Sequence, residues 1–114
     1  MIVYGIGSCD SCRKARKWLD EQGIEHDWVD LRETGVTTAD LRRWLKAVGP
    51  DVLVNRRSTT WRQLPEHERP AMEPVAVLPA LQGHPTLVKR PVFERGGEVR
   101  VGFSDEVRNW LENP

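Results

Sequence analysis

Ile2-Val3-Tyr4-Gly5-Ile6-Gly7-Ser8-Cys9-Asp10-Ser11-Cys12-Arg13-Lys14-Ala15-Arg16-Lys17-Trp18-Leu19 joins a short β-favouring run to a glycine-rich turn and then to an amphipathic helix. Ile2 to Tyr4 read as a strand, and Gly5-Ile6-Gly7-Ser8 suits a turn into a helix that begins near Cys9 or Asp10. Ala15, Trp18, Leu19 and Gln22 trace one stripe opposite Arg16, Lys17 and Asp20, and Gly23 supplies a stop. Cys12, three and seven residues before Ala15 and Leu19, heads the buried stripe, and Cys9 at the helix mouth is the more open sulfur. His26 to Leu31 alternates through Trp28, Val29 and Leu31 and reads as a second strand. The resulting β-loop-α-β order favours a parallel first pair and an α/β class.

Working outward, a second helix is expected from Thr38 as its N-cap through Leu41, Trp44, Leu45 and Val48 to Gly49-Pro50. Residues 50 to 84 are less regular, with short helical pieces around Val52–Val54 and Val75–Leu81. Prolines 65, 70, 74 and 79 argue there against long helices. Pro91-Val92-Phe93, the Gly96-Gly97 turn and Val99 to Phe103 form a hairpin, and Ser104 caps a last helix carrying Val107, Trp110 and Leu111. The expected organisation is one domain over 1–114 with a helical insertion at about 37–84. Four of the five tryptophans, Trp18, Trp28, Trp44 and Trp110, fall on apolar stripes or strands and read as core; Trp61 falls in the irregular stretch.

At 114 residues the chain has the size of one domain with its own core, and 39% hydrophobic and 30% charged residues exclude a disordered or fibrous chain. Seventeen basic residues balance seventeen acidic ones, so no general pull toward nucleic acid or anionic membrane is expected, and a monomer is the default. The longest stretch free of charged residues, Pro74 to Val88, is interrupted by Pro79 and Pro85 and is too short to span a bilayer. Met1 to Gly5 lacks the pattern of an export signal, which points to a cytoplasmic, reducing location.

In that setting a Cys9-x-x-Cys12 pair reads as catalytic, redox-sensing or metal-binding rather than as a structural staple. Zinc needs four ligands, and the only further candidates are His26, His67 and His84, so no metal is expected. Cys9 combines a helix N-terminus, a second sulfur three residues on and the cations Arg13 and Lys14, which together favour a thiolate. Cys12 can then resolve a Cys9 adduct as an intramolecular disulfide, or it can be a small core residue while only Cys9 reacts. Arg16 and Lys17 read as a solvated helix face, and Lys89-Arg90 and Asn55-Arg56-Arg57 are two further sources of guanidinium for an anion.

Tyr4-Gly5-Ile6 through Cys9-Asp10-Ser11-Cys12-Arg13-Lys14-Ala15-Arg16-Lys17-Trp18-Leu19 resembles the first motif of the arsenate reductase (ArsC)/Spx family. The likeness continues in Asn55-Arg56-Arg57-Ser58-Thr59-Thr60-Trp61-Arg62, His84-Pro85, Lys89-Arg90-Pro91 and Val101-Gly102-Phe103. This resemblance implies a thioredoxin-like fold, a mixed four-stranded sheet with flanking helices and a helical insertion, and a cis Arg90–Pro91 bond facing the reactive cysteine. It places the nucleophile on Cys9 and the oxyanion-binding arginine on Arg90. A further arginine falls on Arg57 by the Arg-x-Thr-Thr-Trp-Arg pattern of the YffB-like branch, whereas the register of true arsenate reductases points to Asn55. Their third arginine falls on Phe103, so the three-arginine oxyanion cage is incomplete. The implied site is then Cys9, Cys12 and Arg90 for chemistry, with Arg13, Arg57, Arg90 and Pro91 toward the substrate. The substrate is a small anion or glutathione mixed disulfide, with no bound cofactor and with glutathione/glutaredoxin or thioredoxin as reductant. The Spx branch, which shares the Cys-x-x-Cys, implies the alternative of a redox-sensing regulator whose partner is RNA polymerase, with Gly49 at the matching glycine.

Overall fold

The computed structural model describes all 114 residues, Met1–Pro114. The chain divides into two units, one formed by Met1–Thr34 with Arg90–Pro114 and one by Gly35–Lys89.

The first unit is built on β1 (Ile2–Gly5), α1 (Asp10–Glu21), β2 (Asp27–Asp30), β3 (Val92–Arg95), β4 (Glu98–Val101) and α7 (Asp105–Glu112). The sheet order is β2-β1-β3-β4, with β1 and β2 parallel and the other pairs antiparallel. The parallel pair follows from the crossover through α1, since parallel neighbours need a connection long enough to return along the sheet. Val3, Ala15, Leu19, Phe93, Val107 and Leu111 form the core, so the stripe read from α1 packs with one face of the sheet and with α7. The Ser104 hydroxyl accepts from the Val107 N–H and caps α7 as the sequence indicates.

Two sequence expectations change here. Leu31 does not extend the second strand but starts α2 (Leu31–Thr34), because the Asp30 carboxylate accepts from the Arg32 N–H and turns the chain. The tryptophan reading holds: Trp44 is fully enclosed, and Trp18, Trp28 and Trp110, half-buried, pack against the core of the first unit. Trp110 meets the Arg95 and Arg100 guanidiniums, 3.9 and 4.9 Å from its ring centre, and donates from Nε1 to Glu98. The second change is Arg16, which is half-buried and stacks 4.2 Å over Trp28 at the surface instead of being wholly solvated.

The second unit holds α3 (Thr38–Val48), α4 (Pro50–Leu53), α5 (Thr59–Gln63) and α6 (Pro74–Gly83), with single turns at Glu66–Glu68 and Pro85–Leu87. Its core gathers Leu41, Trp44, Leu45, Leu53, Val77, Leu81 and Leu87. The cap of α3 is Thr37, whose hydroxyl accepts from the Asp40 N–H, and not Thr38; both threonines can cap, and the chain uses the one that leaves Thr38 in the first turn. Pro79 sits inside α6, within the helical piece expected over Val75–Leu81. The bond it forgoes is the one to the Val75 carbonyl, and Val75 is 85% exposed, so water can serve that oxygen. Ser58 caps α5 through the Trp61 N–H, giving a helix where the sequence showed only irregularity. Trp61 is half-buried there, under the Arg69 guanidinium.

Candidate active site

Tyr4 pairs with Val92, so the end of β1 and the start of β3 lie together, and the loop from β1 to α1 emerges beside Arg90–Pro91. The Arg90–Pro91 bond is cis, and the Pro91 carbonyl accepts from the Gly102 N–H at 2.8 Å. The loop itself is fixed at two points. The Cys9 N–H donates to the Ile6 carbonyl at 3.0 Å, and the Gly7 N–H donates to Asp30 Oδ2 at 2.9 Å. The Gly7 N–H holds the Asp30 carboxyl below the usual carboxylate range, and the Arg32 and Glu33 N–H groups add to the effect.

Cys9 is the N-cap of α1 and is half-buried. Its sulfur has stabilising neighbours. Burial raises its pKa, but the Cys12 N–H, the Cys12 thiol and the hydrogen-bonding, positively charged Arg90 guanidinium outweigh that cost and lower it below the ordinary value. Cys12 is fully enclosed, and burial pushes its thiol up to about 12 despite the Ile6 N–H, with the neighbouring Cys9 adding to the rise. The two sulfurs, one helical turn apart, are therefore unlike: one is prepared to ionise and the other is kept as a thiol.

The remaining candidates are placed as follows. Arg13 pairs with Asp10 at the surface, and with Lys14 it lowers the Asp10 carboxyl, so the cation that acts on Cys9 is Arg90. Arg57 lies in the second unit, where its N–H donates to Asn55 Oδ1 at 3.1 Å and its side chain lines a cavity of about 320 Å³ with Asn55, Arg56 and Lys89. No three His, Cys, Asp or Glu side chains converge anywhere in the chain. Asp30 was missed by sequence reasoning, since its partner Gly7 is 23 residues away and nothing local marks the pair.

The ArsC family model matches residues 4–109. The chain belongs to the ArsC family. The solved structure of a YFFB protein superposes with a TM-score of 0.90 at 34% identity, covering 96% of each chain. An arsenate reductase (ArsC) related protein from Brucella melitensis is 36% identical with a TM-score of 0.78, covering 99% of this chain and 94% of that one. The global transcriptional regulator Spx of Staphylococcus saprophyticus is 30% identical over 114 residues, which covers 97% of this chain and 86% of the regulator. These likenesses bear out the ArsC/Spx resemblance and the α/β, thioredoxin-like class with its mixed four-stranded sheet.

Proposed function

We propose that this ArsC-family chain is a cytoplasmic thiol-dependent reductase with Cys9 as its nucleophile. The observation that carries the reading is the half-open Cys9 sulfur, lowered in pKa by Cys12 and Arg90 in a chain of this family. The Cys9 thiolate attacks the electrophilic sulfur of a glutathione mixed disulfide, or the central atom of an arsenate-like oxyanion, while Arg90 neutralises the anion. Cys12 or an external thiol then displaces the adduct, with glutathione/glutaredoxin or thioredoxin restoring the reduced pair. Arg57, Arg13 and Pro91 are the further substrate-side residues of this reading. Similarity to the Brucella melitensis arsenate reductase related protein supports it. No helix of the chain is long and apolar enough to cross a membrane.

The Spx likeness and the Cys9-x-x-Cys12 pair favour a second reading, a redox-sensing regulator in which the Cys9–Cys12 disulfide alters binding to RNA polymerase. NADPH consumption separates the two. The protein and its Cys9→Ser variant are coupled in turn to thioredoxin and to glutathione with glutaredoxin, with arsenate and a glutathionylated peptide as substrates. Turnover lost in the variant supports the reductase. No turnover in any combination, with reversible Cys9–Cys12 oxidation intact, contradicts it and favours the regulator.

A further inference from the structure

Gly5 is the last residue of β1 and is buried. A Cβ built on it would stand 2.5 Å from the Cys12 sulfur and 2.8 Å from Cη2 of Trp28, closer than real side chains approach. Sulfur and indole edge thus converge on the bare Cα of one glycine, and both occupy space that any other residue would fill. Trp28 comes from β2, paired across from Val3, and its ring is covered by Arg16, which lies one helical turn beyond Cys12 on α1. Reading from the sheet outward, the order is Gly5, then Cys12 with Trp28, then Arg16 at the surface.

We propose that Gly5, Trp28 and Arg16 are positioning residues for Cys12. They make a seat that directs its sulfur to Cys9 and closes it to outside reagents. The inference rests on the reading of Cys9 as the attacking thiol. In the step concerned, the Cys12 sulfur gives up its proton and attacks the Cys9 sulfur of a Cys9–S–S–R mixed disulfide. The Cys9–Cys12 bond forms, the bond to SR breaks, and RS⁻ leaves and takes up a proton as RSH; the disulfide is exchanged with no net oxidation. Because geometry governs such a displacement, moving the seat changes its rate more than it changes the first attack by Cys9, which feels the seat only through the Cys12 hydrogen bonds to its sulfur.

Ellman's reagent tests this on the intact chain, since attack by Cys9 releases one thionitrobenzoate and attack by Cys12 on the adduct releases a second. The wild type is expected to give two phases, and Cys12→Ser one. Gly5→Ala and Trp28→Ala are expected to slow the second phase by about tenfold or more and to change the first by much less, a size typical of a small misplacement of a reacting group. Trp28→Phe, which keeps an aromatic ring, restores most of the rate. In a Cys9→Ser background Trp28→Ala is expected to speed alkylation of Cys12 by iodoacetamide, the opposite direction, while the core variant Leu111→Ala is not. Should Gly5→Ala fail to fold, Arg16→Gln at the surface end of the stack carries the same test with a smaller slowing. An unchanged second phase in the folded variants overturns the proposal, as does acceleration of both phases, or of Cys12 alkylation by Leu111→Ala, which means general loosening. Loss of the first phase in the wild type removes the Cys9 reading itself, a result distinct from either.

Discussion

The mouth of α1 and its first buried turn hold the same element, sulfur, and treat it in opposite ways. At the mouth, Cys9 is half open and meets Arg90, brought from the start of β3, so its thiolate is favoured. One turn on, Cys12 is sealed between the end of β1 and the core, and its thiol is pushed up to about 12. A Cys-x-x-Cys spacing by itself does not assign these roles. The difference comes from what the sheet sets against each sulfur: a guanidinium in one case, a glycine and an indole in the other.

The largest expected effect breaks the comparison outright. Cys9→Ser abolishes turnover in the coupled NADPH assay, whereas Cys12→Ser keeps activity wherever an external thiol can resolve the adduct. Arg90→Ala comes next: removing the guanidinium raises the Cys9 pKa and cuts kcat/KM by about 10²-fold, the usual scale for one charge-stabilising donor. Leu19→Ala, further along the buried stripe that Cys12 heads, tests the ordinary core of the first unit, and urea unfolding should show a loss of about 2–5 kcal/mol. The enclosed Cys12 thiol also sets a pH dependence. Its folded pKa is raised, so the stability it contributes is complete below the ordinary value of 9.0 and is lost as pH climbs toward about 12. Cys12→Ala should flatten that alkaline decline in thermal melts. Smallest is Asp30→Asn: with its pKa depressed in the fold, Asp30 stabilises at neutral pH and loses that contribution as pH falls through its folded value. Wild type and variant should therefore converge in acid.

Much of this architecture was legible because it is local. The α1 stripe through Cys12, Ala15 and Leu19, the Gly96-Gly97 hairpin and the Ser104 cap each need only neighbours in sequence, and the structure has all three. Cys9 as the open sulfur and Cys12 as the buried one were readable for the same reason. What escaped depends on partners far along the chain. Arg16 on Trp28, the Gly7–Asp30 bond and the glycine seat beneath Cys12 join β1, α1 and β2, and no periodicity announces them. Arg90 was placed beside Cys9 by family resemblance and not by pattern, since 81 positions of chain separate them. In the second unit, proline positions argued for short helices, and α6 is one, with Pro79 held inside it where the carbonyl it strands can reach water.

The division of labour between the two sulfurs is tested most directly by the pH dependence of alkylation, resolved cysteine by cysteine by mass spectrometry on the reduced wild-type protein. The account predicts a Cys9 midpoint below 9.0 and a Cys12 midpoint displaced toward about 12, with Cys9 labelled first at every pH. Equal midpoints, or Cys12 labelled ahead of Cys9, would contradict it.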